Sequence, residues 1–304
     1  MAGRAPRFPT WRYGKRLLWR GYDEWGVVEV VEGHLGRGMH FGSASLQGRI
    51  NRDLPWLPVA EYAISMSLAA AFPAPISRTQ NKSVLPISSV PQICLLGLGT
   101  GSLTWTYHHL MPKAQLTVIE LRPAVIEVAQ TLFGLEQLSS QLKLIQGDAL
   151  EKLSLVPTAS QTLVAIDLFT ANNMADCLLE PKFWRELARI LHPFGVLCIN
   201  TWGSRPEACS KIQAFIQQYI CPAGDLYLLD HLSFTNEILF ACPHPVDLAD
   251  VLKRSSVVES KLHRPKHTSP RQKKRWDKEA EAAGLSSESI GQRAQRLQYV
   301  TTKL

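Results

Sequence analysis

A glycine-rich turn, GLGTG at residues 97–101, joins an apolar run of strand length to a predicted helix. The run before the turn is QICLLGL at residues 92–98, and the predicted helix spans residues 102–111. Glycines at such a junction let the backbone turn tightly and approach a ligand closely. In open α/β sheets, ligands bind at the carboxyl ends of the strands, where turns of this kind lie. The turn therefore indicates either a ligand-binding strand end or a tight turn without a ligand.

Apolar runs and helical stretches continue to alternate after this turn. The runs are apolar throughout rather than at every second residue, which is typical of parallel strands covered by helices on both faces. The pattern predicts a seven-stranded doubly wound sheet whose last two strands form a hairpin. Its predicted strands are residues 92–98, 116–121, 142–148, 162–169 and 196–202, with two more within residues 225–243. Its predicted helices are residues 102–111, 123–133, 181–191 and 207–220.

Two segments flank this alternating pattern. In the first, residues 26–42 are predicted to form a strand, a turn and a second strand, and residues 56–72 a mostly apolar helix. We therefore expect a basic N-terminal arm, a β module and a helix in residues 1–75 and a ligand-binding α/β domain in residues 76–250. Residues 251–304 lack this alternation of apolar runs and helical stretches, and we expect them to form a basic, disordered tail.

The positive charge of the chain lies at its two ends. The net charge is +7, yet residues 1–22 carry six Lys or Arg and no acid, and residues 253–304 carry thirteen Lys or Arg against five acids. The remainder is mildly acidic, which indicates a folded unit with anion-seeking extensions. The basic tail predicts either RNA binding by phosphate neutralisation or a solvated segment that aids solubility.

Composition limits the class of protein. Hydrophobic residues make up 45% and charged residues 19% of the chain, which excludes wholly disordered, collagenous and disulfide-framework proteins. No apolar run reaches the length of a transmembrane helix, so we expect no membrane association. The six cysteines are scattered, mostly in apolar runs, and no pair has the C-x-x-C spacing. We therefore expect reduced thiols in a cytoplasmic protein and no metal cofactor.

Three acids end the predicted strands that follow the glycine-rich turn: Glu120, Asp148 and Asp167. Glu120 ends the second strand, where an acid is placed to bind two ribose hydroxyls. Asp148 is placed to accept a hydrogen bond from the amino group of adenine, and Asp167 lies where a transferred group meets its acceptor. The alternative for each acid is a helix N-cap or an exposed turn. Because Ser102 replaces the third glycine of a dinucleotide fingerprint, the pattern favours an S-adenosylmethionine-type nucleoside.

The chain resembles the spermidine synthase-like (polyamine aminopropyltransferase) family, especially its divergent bacterial members, in four motifs: ICLLGLGTGSLTWTYHHLMPKAQLTVIELRPAVIEVAQTLFGL, LIQGDAL, AIDLF and FWRELARILHPFGVLCIN. The resemblance covers roughly residues 26–243. It implies a class I methyltransferase-like Rossmann fold, with a seven-stranded doubly wound sheet and a small N-terminal β module. It also implies S-adenosylmethionine or its decarboxylated form as co-substrate, a small-molecule amine as acceptor, and a homodimer.

Carried over by position, the resemblance implies a role for each residue of the site. On the nucleoside side, Gln47 contacts the ligand from the β module, and the turn residues Gly97, Gly99, Thr100 and Gly101 lie under its amino-acid arm. Glu120 binds the ribose hydroxyls, and Asp148 and Ala149 contact adenine. On the acceptor side, Asp167 is the catalytic aspartate that orients the amine and helps take its proton. Tyr62 is the active-site tyrosine, and Thr170 lies on the same side.

The chain departs from the family pattern in three places, the first being that no acid closely follows Tyr62, where the family usually has one. Polyamine synthases carry an aspartate in the glycine-rich turn and another three residues after the catalytic one, where this chain has Thr100 and Thr170. A diamine is a double cation and needs a carboxylate at each end. Three hypotheses therefore remain: aminopropyl transfer to an amine, methyl transfer from S-adenosylmethionine, and noncatalytic binding of a nucleoside or of RNA.

Overall fold

The computed structural model of the chain describes residues 11–34, 36–72, 90–170, 173–230, 236–262 and 289–300. These residues form two β-sheets, one antiparallel sheet of five strands near the N-terminus and one mixed sheet of eight strands. The second sheet holds the glycine-rich turn and the acids that the sequence analysis singled out.

The five-stranded sheet runs in chain order, with every neighbouring pair antiparallel. Its strands are β1 (Trp11–Arg12), β2 (Lys15–Asp23), β3 (Gly26–Gly33), β4 (Gly36–His40) and β5 (Leu46–Ile50). The predicted β module is thus confirmed, but it is larger than the single hairpin expected in residues 26–42. The long strand β2 lies in the segment that was predicted to be a basic arm, because its arginines mask its strand character. Arg16 and Arg20 pair with glutamates of β3.

A short helix, α1 (Glu61–Ser67), follows this sheet and continues as a 3-10 turn over Leu68–Ala71. It lies within the predicted helix 56–72 but begins five residues later. Most of its side chains are buried, as its apolar sequence predicts. The helix carries Tyr62 in its first turn, so its position decides where that side chain lies.

The eight-stranded sheet has the strand order of a doubly wound fold. Its strands are β6 (Gln92–Leu96), β7 (Gln115–Glu120), β8 (Leu142–Gln146), β9 (Gln161–Ile166), β10 (Leu191–Trp202), β11 (Asp225–Asp230), β12 (Asn236–Cys242) and β13 (Gln298–Tyr299). From one edge to the other the order is β8-β7-β6-β9-β10-β12-β11-β13, and β12 runs antiparallel to β10. The strand order reverses between β6 and β9, which are parallel neighbours, and this switch point is where such sheets bind ligands. The predicted seven-stranded Rossmann fold is confirmed, with β13 added as a two-residue edge strand.

Helices cover both faces of this sheet, which explains why its strands are apolar throughout. They are α2 (Ser102–Leu110), α3 (Pro123–Thr131), α4 (Ala149–Lys152), α5 (Pro181–Ile190) and α6 (Pro206–Phe215), the last continuing as a π-helical segment over Ile216–Ile220. In β6, Ile93 and Leu95 face the core beneath α2 and α3, whereas Cys94 and Leu96 face the core beneath α5 and α6. Residues 192–195, which separate the predicted helix 181–191 from the predicted strand 196–202, lie inside β10, whose register is irregular between Leu191 and Val196.

Two parts of the expected tail, 251–304, pack on the folded body. Helix α7 (Leu248–Lys261) and helix α8 (Ile290–Gln295) contact each other, and β13 pairs with β11. The difference from a disordered tail arises because these parts bury Val251, Val258, Ile290 and Ala294 in the core that contains α1. Most of the basic stretch to which RNA binding was assigned, residues 263–288, lies outside the described residues.

Candidate active site

The glycine-rich turn lies against the end of β9. Gly97 has a φ of 90°, which favours glycine, and its amide donates to the carbonyl of Ile119 at 2.9 Å. A Cβ atom at Gly97 would lie only 2.3 Å from the carbonyl oxygen of Asp167. Gly99 and Gly101 also have positive φ values, and Gly101 is the residue before α2. The turn can therefore pass this close to Asp167 only because residue 97 has no side chain.

Glu120 connects the turn to the end of β7. One carboxylate oxygen, Oε2, accepts a hydrogen bond from the amide of Leu98 at 2.9 Å, and Oε1 accepts one from the amide of Arg122 at 2.9 Å. Burial raises the pKa of Glu120, whereas these backbone donors act in the opposite direction. Each oxygen of a carboxylate has two lone pairs, so these contacts leave capacity to accept hydroxyl donors.

Asp148 and Ala149 lie at the start of α4. The Asp148 carboxylate accepts a hydrogen bond from the amide of Leu150 at 2.8 Å, which makes it the N-cap of this four-residue helix. Ala149 is buried against the core. Of the two interpretations given above for Asp148, the structure shows the helix N-cap. The residue lies at the same edge of the sheet as Glu120.

Asp167 lies at the centre of a chain of polar side chains. Asn200 donates from Nδ2 to Asp167 Oδ1 at 2.9 Å, and Asn236 donates to the Oδ1 of Asn200 at 2.9 Å. The hydroxyl of Tyr62 also interacts with the carboxylate of Asp167. Burial raises the pKa of Asp167, and the two donors act against that rise. Burial also raises the pKa of Tyr62 well above its usual range, so this hydroxyl remains a donor.

Strand β5 of the N-terminal sheet lies directly over the glycine-rich turn. A Cβ atom at Gly48 would lie 3.1 Å from both Oγ1 and Cγ2 of Thr100, whose side chain is nearly inaccessible to solvent. Gln47, the residue before Gly48, is half-buried on the same strand. The structure thus brings β5, the strand that carries Gln47, next to the turn, although Gln47 and Gly97 lie 50 residues apart in the chain.

Thr170 closes a turn of its own. Its Oγ1 donates to the carbonyl of Asn173 at 3.1 Å and accepts from the amide of Asn173 at 3.0 Å. Thr170 is exposed, so it lies at the surface beside the segment that carries Asp167. Residues 171 and 172 lie outside the described ranges.

Three residues around the site were not found by sequence reasoning: Asn200, Asn236 and Arg122. Asn200 comes directly after the apolar residues of β10, as Glu120 and Asp167 come after those of β7 and β9. This position at the end of an apolar run is the sequence signal that could have identified it. The guanidinium of Arg122 contacts Asp23 at 2.7 Å and the carbonyl of Gly26 at 2.9 Å. No signal in the sequence connects Arg122 with Asp23, because the contact spans 99 residues.

Two general properties concern the described residues as a whole. Within these ranges, every helix falls short of the length and hydrophobicity that a bilayer crossing requires. Within the same ranges, His, Cys, Asp and Glu side chains do not gather in groups of three that could hold a metal ion.

The chain is similar to methyltransferase domains and to polyamine aminopropyltransferases. Residues 95–199 match the family described as "Methyltransferase domain". The polyamine aminopropyltransferase of Neisseria meningitidis serogroup A is 27% identical over 201 residues, which cover 66% of this chain and 68% of that protein.

Two solved structures are similar in fold. A probable spermidine synthase from Corynebacterium glutamicum superposes with a TM-score of 0.64 at 16% identity, covering 83% of this chain and 97% of that one. Human Methyltransferase-like protein 13 in complex with SAH superposes with a TM-score of 0.56 at 22% identity, covering 69% of this chain and 96% of that one. At these identities the likeness is one of fold.

Proposed function

We propose that this chain, a divergent spermidine synthase-like protein, is a transferase that binds an S-adenosylmethionine-derived nucleoside and transfers its aminopropyl group to an amine. The observation that carries the proposal is the position of Asp167. Its carboxylate accepts a hydrogen bond from Asn200 and interacts with the hydroxyl of Tyr62, and its backbone carbonyl oxygen packs against Gly97 of the glycine-rich turn. A carboxylate at this place lies between a nucleoside held by the turn and an acceptor that approaches from outside.

In this reaction, Asp167 orients the acceptor and accepts its proton. An aliphatic ammonium must lose a proton before its nitrogen can attack, and a carboxylate within hydrogen-bond reach is a suitable acceptor. The nitrogen then forms a bond to the methylene group beside the sulfonium, and the C–S bond breaks with its electron pair going to sulfur. The products are the alkylated amine and methylthioadenosine. The remaining contribution is positioning of the two substrates.

The nucleoside occupies the carboxyl ends of β6, β7 and β8 under this proposal. Glu120 binds the ribose hydroxyls with the lone pairs that the amides of Leu98 and Arg122 leave available. Gln47 contacts the ligand from β5, and Asp148 and Ala149 contact adenine from the start of α4. Asp148 can do so while capping α4, because a carboxylate accepts several hydrogen bonds.

Methyl transfer is the second candidate, and Thr100 favours it. A carboxylate in the turn would hold the free amine of a decarboxylated ligand, but residue 100 is a threonine packed beneath Gly48. An unmodified S-adenosylmethionine carries a carboxylate of its own, which an acid at residue 100 would repel. In that reaction the nitrogen attacks the methyl group, and S-adenosylhomocysteine is the second product.

The two candidates are distinguished by the nucleoside that binds and the product that forms. Calorimetric titration with S-adenosylmethionine, its decarboxylated form and methylthioadenosine gives the preference. Incubation with amines, followed by mass spectrometry, shows whether methylthioadenosine or S-adenosylhomocysteine accumulates. We expect tighter binding of the decarboxylated form and accumulation of methylthioadenosine. Binding of none of the three would reject both candidates and leave noncatalytic roles.

The variant Asp167→Asn tests the mechanism. Loss of the proton acceptor is expected to lower turnover about 100-fold or more while nucleoside affinity stays within about twofold. The matched control is Asp176→Asn, since Asp176 is an exposed aspartate nine residues further along. Wild-type turnover in Asp167→Asn would contradict the role of proton acceptor assigned to this carboxylate.

Compartment and assembly belong to the same proposal. We assign the reaction to the cytoplasm, in keeping with the six cysteines, none of which is paired in a disulfide. The homodimer implied by the resemblance stays a prediction, and light scattering on the purified chain tests it. RNA binding by the basic tail is tested by replacing Arg271, Lys273, Lys274 and Arg275 with glutamine, which leaves α8 and β13 in place: unchanged RNA affinity at low salt would reject it.

A further inference from the structure

Two aromatic residues follow the polar pair formed by Asp167 and Asn200, each two positions further along its segment. Phe169 is two residues beyond Asp167, and Trp202 is two residues beyond Asn200. Their rings meet edge to face, with centroids 5.8 Å apart and an interplanar angle of 69°. Both side chains are half-buried, so each keeps a surface that another molecule can contact. We name these two residues the aromatic rim.

Trp202 is the last residue of β10 and the antiparallel partner of Asn236, whose side chain reaches Asn200. The ring of Trp202, like that of Phe169, packs against the core beneath α5 and α6. Glu237 lies on the adjacent strand, and its carboxylate interacts with the thiol of Cys209, which donates to the carbonyl of Trp202 at 3.1 Å. The carboxylate of Glu237 thus has a partner of its own within the fold.

The segment that carries Phe169 is fixed in place by several contacts. Phe169 forms an isolated backbone bridge with Met174, and the sulfur of Met174 accepts a hydrogen bond from the amide of Trp202 at 3.3 Å. Thr170 has its hydroxyl engaged by Asn173. The rim therefore presents ring surface next to Asp167, and the residue beyond Phe169 offers a neutral hydroxyl that its own turn already uses.

We propose that the acceptor is a monoamine with an apolar, preferably aromatic, body. Its single ammonium lies at Asp167 and its body lies on the aromatic rim. The inference rests on the proposed function, because it assumes that an amine attacks the bound nucleoside at Asp167. A diamine would place its second ammonium beside rings and a neutral turn, where it loses hydration without gaining a carboxylate partner. An alkyl or aryl group in that place instead buries apolar surface.

Three amines of similar reach test the proposal: phenethylamine, pentylamine and 1,4-diaminobutane. Each is supplied with the nucleoside that gives turnover, and kcat/KM is measured by release of the spent nucleoside. Calorimetric titration of each amine into the protein saturated with methylthioadenosine gives binding without chemistry. We expect kcat/KM for phenethylamine to exceed that for 1,4-diaminobutane by about tenfold or more, with pentylamine between them.

Two variants assign the preference to the rim. Trp202→Leu should lower kcat/KM for phenethylamine about tenfold and leave the affinity for methylthioadenosine unchanged. The matched control is Trp25→Leu, which alters a partly exposed tryptophan of the N-terminal sheet. Thr170→Asp adds a carboxylate beyond Phe169, so it should raise kcat/KM for the diamine relative to the monoamines. This gain does not depend on the folding of Trp202→Leu.

The outcomes separate this inference from the function on which it rests. A wild-type preference for 1,4-diaminobutane, with alkylated product formed, would overturn the monoamine and leave the transferase intact. Such a preference would mean that the rings themselves hold the second ammonium by cation–π attraction. Failure of every amine to release spent nucleoside from a protein that binds it would overturn the proposed function, and the inference with it.

Discussion

At the scale of single residues, Asp167 combines a raised pKa with two donors that come from distant parts of the chain. Tyr62 belongs to α1, and Asn200 lies near the end of β10, the strand next to β9. Burial raises the pKa of Asp167, while both hydrogen bonds favour its ionised form. The balance leaves a carboxylate that is more basic than an exposed aspartate and is still held in one orientation.

Removal of the Asn200 donor should move the pH profile. The active form of Asp167 is the carboxylate, so the rate falls as pH drops through its pKa. Because Asn200 lowers this pKa, Asn200→Ala raises it, and the acid limb of kcat/KM moves to higher pH by about one unit. Asn236→Ala should give a smaller shift in the same direction, since Asn236 acts only through Asn200. An acid limb that stays in place would contradict this account.

Glu120 is expected to strengthen nucleoside binding in two ways, by holding the glycine-rich turn in place and by accepting hydrogen bonds from the ribose. In Glu120→Gln, the side-chain NH2 faces a backbone amide, so one donor meets another and the turn loses its tie to β7. The ribose also loses a charged acceptor. Together these losses should weaken methylthioadenosine binding about 10- to 100-fold, as measured by calorimetry. The exposed Glu151→Gln on α4 is the control, and equal affinities in the two variants would count against the ribose assignment.

At the scale of elements, a buried ion pair joins the N-terminal sheet to β7. Arg122 follows Glu120 by two residues, and its guanidinium reaches Asp23 at the end of β2. The same guanidinium lies 4.2 Å from the ring centroid of Phe41, just beyond β4. Both charged side chains are more than nine-tenths buried, so either one left alone would be an uncompensated charge.

Breaking this pair should loosen the N-terminal sheet and weaken the site together. Arg122→Met is expected to lower the free energy of unfolding by about 3 kcal/mol, because it leaves Asp23 buried without a partner. Urea denaturation measures the loss, and the double variant with Asp23→Asn should recover part of it. Arg185→Met, at an exposed position on α5, is the matched control. Additive effects of the two single changes would show that the pair is not coupled.

The sheet was largely predictable from sequence, and the site only in part. Continuous apolar runs, glycines and prolines are local signals, and they located β6, β7, β8 and β9 to within about three residues. Strand β2 was missed because its arginines pair with glutamates on the next strand, which is information that a single strand does not carry. Asn200 and Arg122 were missed for the same reason: their partners lie on other elements.

At the scale of the whole molecule, the C-terminal segment completes the core around α1. Arg293 of α8 is fully buried and contacts Ser65 at 3.0 Å and Glu61 at 3.4 Å. Glu61 directly precedes Tyr62, so this contact lies one residue from the hydroxyl that bonds Asp167. The expected tail thus supports the helix that carries the active-site tyrosine.

Arg293→Met is expected to lower both stability and turnover. It leaves Glu61 buried without its guanidinium, at a cost of about 3 kcal/mol or more in the free energy of unfolding. Thermal unfolding measures this change, and adding Glu61→Gln should restore part of the stability because the lone charge is removed. Methylthioadenosine affinity should change less than turnover, since the displaced helix carries Tyr62 rather than the glycine-rich turn. Wild-type stability in Arg293→Met would refute this role.

The position of Arg293 also orders events during synthesis of the chain. Glu61 leaves the ribosome 232 residues before its counterion does. At ordinary translation rates of about 5–20 residues per second, this interval is roughly 10–50 s. Throughout it, α1 lacks the guanidinium that balances its buried carboxylate, so the helix that carries Tyr62 gains its full set of contacts only after α8 has emerged. We therefore expect the nascent protein to form its nucleoside turn before α1 is fully stabilised.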